Sequence, residues 1–316
     1  MQVETENVAV SAIICTRDRG ALLVDAVSSI LASAHESFEL IVVDQSVDDV
    51  TKNSIDPFLR DVRLRYVPSQ TTGLGMARRV GMDAARGEIL AFADDDCVLP
   101  ANWLQVVDQV FADHPRVAVV FCNVRGGDHD RTQGFVPDYV RSKDACAKSI
   151  WEKNAVRGIG AGMAVRKSAI VQIGGFDAAL GAGGRFPSCE DGDIAIRALL
   201  NGWHVYETTA TTVVHHGFRS WEEGRALTRR DWIGIGAAYV KPLKCGHFSV
   251  LSVIAHEAFA VALLASFRGL REKHRPVGLW RFIYFWVGFL RGMFTPVDCR
   301  TMLYRPDENL GRHPHP

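Results

Sequence analysis

The sequence has no excess of charge of either sign: 36 basic residues stand against 36 acidic ones in 316. No global field draws nucleic acid to the surface, and no nucleic-acid partner is expected. The chain lacks a Cys-x-x-Cys pair, and its seven cysteines are scattered without an even framework. They read as small core residues of a protein in a reducing compartment. The polar, acidic start, 1–7, lacks the basic-then-apolar order of a secretory signal, so none is expected. Internal repeats and low-complexity tracts are missing, and the tail after Arg305 reads as disordered. The run 247–267, about 21 residues, has the length of a membrane span. However, His256 and Glu257 sit at its centre, where an ionisable group in lipid is costly.

What is present falls into three textures. From 8 to about 127, short Val- and Ile-rich runs (8–15, 40–43, 62–67, 89–93 and 117–122) alternate with the helical patterns 21–33, 75–86 and 100–113. Runs so continuously apolar suit strands buried on both faces of a mostly parallel sheet. Strand–helix alternation predicts a doubly wound α/β fold. From 128 to 217 the rhythm breaks into glycine-rich, loop-like sequence. Within it, 190–201 reads as a helix with acids in its first turn. From 218 to 316 the chain is helical and aromatic. The segment 279–294 mixes Trp280, Phe282, Tyr284, Phe285, Trp286 and Phe289 with Arg281 and Arg291. That mixture suits a helix lying in a membrane interface; packing on the catalytic domain or a homodimer surface is the alternative. Two units are expected, 1–217 catalytic and 218–316 a helical appendage.

Three groups of residues could carry chemistry. Asp94-Asp95-Asp96 follows an apolar strand, at the sheet edge where such folds bind ligands. Adjacent carboxylates repel unless a cation or strong donors intervene, and Mg²⁺ or Mn²⁺ suits them; an acidic turn capping the next helix is the plainer alternative. Glu190-Asp191-Gly192-Asp193 opens a helix, where a fixed carboxylate could act as a base; ordinary acid enrichment at a helix start would look the same. His215-His216 ends the run 211–214, and neutral imidazole is a common metal ligand.

Taken in order, further pieces join these. They are the strand 10–15 with Thr16-Arg17-Asp18-Arg19, the strand ending in Asp44, and Gly73-Leu74-Gly75-Met76-Ala77-Arg78-Arg79. Ala85-Arg86-Gly87-Glu88, Gly174-Gly175-Phe176-Asp177 and Gly202-Trp203 complete the set. In order and spacing the set resembles the family-2 glycosyltransferases, inverting enzymes of GT-A fold, over roughly 8–217. The resemblance implies a nucleotide-sugar donor, a glycan or lipid-linked acceptor and a divalent metal, Mn²⁺ or Mg²⁺, on the diphosphate. It implies Thr16 and Arg17 beside the nucleotide and Asp44 on its base or ribose. Asp94 and Asp96 match the DxD acids, with Asp94 and Asp95 on the donor and Asp96 on the metal. Asp191 matches the base and Glu190 the acceptor site. His215 or His216 would approach the metal or diphosphate, and both stay open. Arg79 stands where Asn is frequent, and Trp103 falls at an aromatic position expected to pack. A cytoplasmic protein, peripheral at the inner face of the cell membrane, is expected. The rivals are a nucleotidyltransferase, for which the early glycine- and lysine-rich loop is missing, and a non-catalytic sugar-binding module, which has no use for a base.

Overall fold

The computed structural model describes residues 8–264 and 279–306. The expectations for 1–7 and for the tail from 307 onward lie outside them. Four strands, β1 (Val10–Thr16), β2 (Phe38–Asp44), β3 (Leu64–Pro68) and β4 (Ile89–Asp94), pair in parallel in the order β3-β2-β1-β4. Successive residues point to opposite sides, and in β1, β2 and β4 both faces are buried, whereas the edge strand β3 is mostly half-buried. Ala12 and Ile14 pack with helices α1 (Ala21–Leu31) and α4 (Trp103–Asp113); Ile13 packs on the other face with α3 (Leu74–Ala84). Trp103 is buried in the first of these layers, as its packing role required.

Beyond β4 the sheet becomes mixed. After the short β5 (Cys97–Val98) come β6 (Val117–Gly126), β7 (Gly134–Phe135), β8 (Ala145–Ala147), β9 (Gly162–Arg166) and β10 (His204–His215). β9 lies antiparallel between β4 and β6, and β10 continues parallel to β6. β5 folds back antiparallel onto β10, pairing His215 with Cys97. The α/β class and the flanking helices agree with expectation. The loop-like reading of 128–217 misses β9 and most of β10, which sit in the middle of the sheet. Glycines obscure them: Gly162 opens β9, and the turn at 174–175 holds both glycines at φ +92° and +79°.

Helix α6 (Glu190–Leu200) precedes β10. The long α7 (Trp221–Lys244) follows β11 (Arg219–Ser220) behind a capping box of Ser220 and Glu223. Helix α8 (Val250–Ala255) runs on as a π-helix over His256–Leu263, and the aromatic α9 (Leu279–Met293) lies along α7. The 247–267 run is thus helical from Val250 to the end of its described residues. Its Glu257 is buried and faces inward to pair with Arg157 at 2.6 Å. No described helix is long and apolar enough to cross a membrane. One apolar core joins Phe92 and Phe176 to Trp232, Ile233, Phe285 and Tyr304, so the helices from 218 onward share the core of the catalytic part. The cysteine reading needs correction. Cys245 and Cys299 form a disulfide, Cα atoms 5.1 Å apart, tying the end of α7 to the hairpin of β12 (Val297–Asp298) and β13 (Leu303–Tyr304). A separation of 54 residues gives no local spacing by which to recognise it.

Candidate active site

Strand β4 ends at Asp94, and the turn into β5 carries Asp95 and Asp96. Each carboxylate meets a different partner. The Thr16 hydroxyl donates to Asp95 Oδ2 at 2.7 Å. Arg19 lies 3.6 Å from Asp95 Oδ1 and 3.4 Å from Asp96 Oδ2. His215 Nε2 stands 3.1 Å from Asp96 Oδ1, with its other ring nitrogen 3.2 Å from the Pro137 carbonyl. Burial pushes the Asp94 carboxyl up, opposed by Arg78 and His215. Burial also lifts Asp95, to about 6. Asp96 would rise by burial too, but contact with His215 and the charges of Arg19 and Arg219 hold it below the usual range. Burial alone would lower His215; Asp96 and Asp94 lift it instead.

The residues fit a divalent cation. Ligand atoms of Asp94, Asp96, Cys97 and His215 lie within 4.8 Å of one another. Asp96 Oδ1 is buried without an aligned hydrogen-bond donor, an acceptor whose desolvation a cation would offset. Burial pushes the Cys97 thiol far up in the absence of a cation. The two carboxylates and the imidazole make a mainly hard set suited to Mn²⁺ or Mg²⁺.

A second acid group opens α6. Cys189, its N-cap, holds a left-handed backbone at φ +71°, rare for a non-glycine and costing on the order of 1–3 kcal/mol. The turn presents Glu190 inward and leaves Asp191 half-buried. Arg78 joins the two acid groups. It is buried on the inner face of α3, 2.9 Å from Glu190 Oε1 and 3.9 Å from Asp94 Oδ1. Its guanidinium lies 5.5 and 5.7 Å from the rings of Phe92 and Phe176, which meet edge to face. Burial would depress the guanidinium's pKa, but Glu190, Asp94 and Asp191 raise it. Burial pushes Glu190 up to about 7, against the pull of Arg78. Gly160 is what lets these groups meet: a Cβ there would lie 2.7 Å from Arg78 Nη2 and 3.4 Å from Asp191 Oδ2. Asp193, one turn further, points away into a buried charge cluster. Lys241 of α7 bridges it at 2.7 Å to Asp177 at 2.5 Å, and Arg197 pairs with it at 2.9 Å.

The remaining expected residues spread around this centre. Asp44, at the end of β2, accepts from the Ser46 hydroxyl at 2.6 Å and the Tyr66 hydroxyl at 2.8 Å. Arg17 is exposed and paired with Asp18 at 3.4 Å. His215 contacts the acids, whereas the exposed ring of His216 lies over Gly127, lining a cavity at the end of β6. Arg79 reaches the Phe176 carbonyl at 3.3 Å. Sequence reasoning missed Arg78, Cys97 and Lys241. Arg78 left a trace: it occupies the apolar stripe of Gly75 and Met82 at helical spacing, where a cation needs a buried partner.

An open α/β sheet whose strand ends hold an acid–imidazole group beside a helix-borne carboxylate is the architecture of the GT-A fold. The family model for glycosyl transferase family 2 matches residues 11–174, just over half of the 316. The chain belongs to that family and is a glycosyltransferase. A glucosyl-dolichyl phosphate glucuronosyltransferase of Haloferax volcanii is 22% identical over 215 residues, 66% of either chain. The glycosyltransferase GlyG of Streptococcus pneumoniae is 25% identical over 143 residues, 45% of this chain and 46% of that one. The chain thus spans about two thirds or less of the length of these curated relatives. Among solved structures, S. aureus TarS 1–349 in complex with UDP-GlcNAc superposes with a TM-score of 0.64 at 16% identity, over 90% of this chain and 81% of that one. The mannosyltransferase PcManGT from Pyrobaculum calidifontis, in complex with GDP-Man and Mn²⁺, gives 0.61 at 16%, over 92% and 88%. At that identity the likeness concerns the fold.

Proposed function

We propose that the protein is an inverting hexosyltransferase that moves a sugar from a nucleoside-diphosphate sugar to the hydroxyl of a glycan or lipid-linked acceptor. The observation that carries this reading is the junction at Arg78, where the Asp94–Asp96 turn and the Glu190–Asp191 turn meet across one crevice. Support for the donor class comes from TarS, solved with UDP-GlcNAc, and PcManGT, solved with GDP-Man.

In this reading Thr16, Arg17 and Asp44 bind the nucleoside, with Asp94 and Asp95 beside the ribose. Asp94, Asp96 and His215 would hold Mn²⁺ or Mg²⁺, which when bound supplies positive charge to the donor's diphosphate. His216, the other candidate, serves the far side of the site. Asp191 has no ion pair among the described residues and is free to accept a proton. It takes that proton from the acceptor hydroxyl as the oxygen attacks the anomeric carbon; the bond to the nucleoside diphosphate breaks with inversion. Glu190, locked to Arg78, shapes the acceptor side.

Residues 1–217 make up the catalytic part and 218–316 the helical part that buttresses it. Exposed Phe259, Leu279, Trp280, Leu290 and Phe294 give the helical part an apolar face suited to a membrane interface, which supports reading the protein as peripheral at the inner face of the cell membrane. The Cys245–Cys299 bond is the feature that argues against a reducing compartment. Flotation with anionic vesicles tests the membrane contact; a stable dimer that does not float would assign the same face to a second copy.

The central experiment incubates the full chain with a panel of nucleotide sugars and Mn²⁺. Release of nucleoside diphosphate from one donor is expected. Pyrophosphate release would instead make the protein a nucleotidyltransferase, and donor binding without turnover a non-catalytic module.

A further inference from the structure

Past the ends of β6 and β10 lies a cavity of about 370 Å³, built on the Gly126-Gly127 turn. Its walls carry Arg125, Arg131, Asp128, Asp138, His129 and His216. The Gly127 N–H donates to the His215 carbonyl and the His216 N–H to the Asp96 carbonyl, each at 2.8 Å. The backbone that sets His215 on Asp96 therefore also forms the wall of this cavity.

Its position points to the second substrate. Asp44 and Thr16 lie at the ends of β2 and β1, on one side of the Asp94–Asp96 turn; β6 and β10 lie on the other. Its chemistry narrows the class. Arg19, Arg78 and Arg157 around the crevice are already paired with carboxylates. Arg125 and Arg131 are exposed and take part in no ion pair among the described residues. A guanidinium fork matches a phosphate or carboxylate, whereas a neutral sugar leaves it unused. Asp128 and Asp138 are likewise without an ion pair among the described residues and can accept from hydroxyls.

We infer that this cavity is the acceptor subsite, and that it selects a polyhydroxylated acceptor bearing an anionic group. The inference rests on the transferase reading of the neighbouring acids. With the full chain, Mn²⁺ and the donor found by hydrolysis screening, three acceptors separate the cases: methyl glucoside, glucose 6-phosphate and methyl glucuronide. At least one anionic acceptor is expected to show a KM about 10- to 100-fold below that of methyl glucoside, as charge-assisted hydrogen bonds allow. The better of the two tells phosphate from carboxylate. An Arg125→Gln/Arg131→Gln protein should lose that preference while its hydrolysis of donor by water is unchanged. Equal use of the three acceptors, or a preference that survives the double substitution, overturns the subsite. If the wild type turns over no donor, the transferase reading fails separately. Calorimetry with glucose 6-phosphate and methyl glucuronide then decides: binding by the wild type that the double variant loses keeps an anion site, and no binding removes it.

Discussion

The two acid groups are neutralised in different ways. At the Asp94–Asp96 turn the cations come from two places: Arg19 from the half-exposed rim and His215 from the buried end of β10, and Asp96 keeps one buried oxygen without an aligned hydrogen-bond donor. At the start of α6 they come from inside: Glu190 is held by buried Arg78 and Asp193 by buried Lys241 and Arg197. Asp191 is the acid there without an ion pair among the described residues. A carboxylate fixed by a buried cation is structural, because separating the pair leaves an uncompensated charge in low dielectric. A carboxylate facing the crevice without one keeps its capacity for a substrate or an ion. The second group therefore combines the proposed base with the anchor that orients it, two residues apart.

Substitutions can break this distinction. The largest expected effect is on turnover in Asp191→Asn. Loss of a general base should cost about 10²- to 10⁴-fold in kcat with the melting temperature unchanged; ordinary turnover in that protein removes the base assignment. Asp96→Ala should lose about 10²- to 10³-fold, as for removal of one electrostatic contact to developing charge. Its residual activity should no longer respond to Mn²⁺, whereas that of the wild type should fall when Mn²⁺ is chelated and recover on its return.

Lys241→Met should act through stability instead. Removing one partner from a buried ion cluster costs about 3–5 kcal/mol, here because Asp177 would lose its cation and face Asp193, which would keep only Arg197. A urea midpoint close to wild type would mean that the cluster is hydrated and the inside–outside contrast false. Asp177 also accepts from the Tyr304 N–H at 2.9 Å, so the β12–β13 hairpin should loosen in the same variant.

How much of this was legible follows from the physics of each part. Three of the parallel strands, β1, β2 and β4, announce themselves because both faces are buried and hydrophobicity is continuous. β9 is only five residues long and β10 alternates partly buried positions, so neither gives that signal. The acids stand out because three carboxylates in a row need a reason. Their cations did not: Arg78, Lys241 and His215 lie 112, 64 and 119 or more residues from some of their partners, and pairing over such distances leaves no local pattern. The choice between His215 and His216 depended on β5 folding back onto β10. Two residues are too few for any periodicity to reveal that strand.

The smallest expected effect is a pH slope. Burial lifts Glu190 to about 7 and Asp231, on α7, to about 6. Between their ordinary values and these raised ones the folded protein keeps protons that the unfolded chain has lost. Stability contributed in this way is present at low pH and falls as pH rises towards 7. Urea midpoints at pH 5 and pH 7.5 should therefore differ less in Glu190→Gln than in the wild type, by on the order of 1 kcal/mol, the scale of a single-unit pKa shift. Comparing the two proteins cancels the histidines that titrate in the same window. Identical slopes would mean that Arg78 holds Glu190 ionised throughout, making the pair a permanent ion bridge and leaving Asp231 of α7 as the acid that titrates in this window.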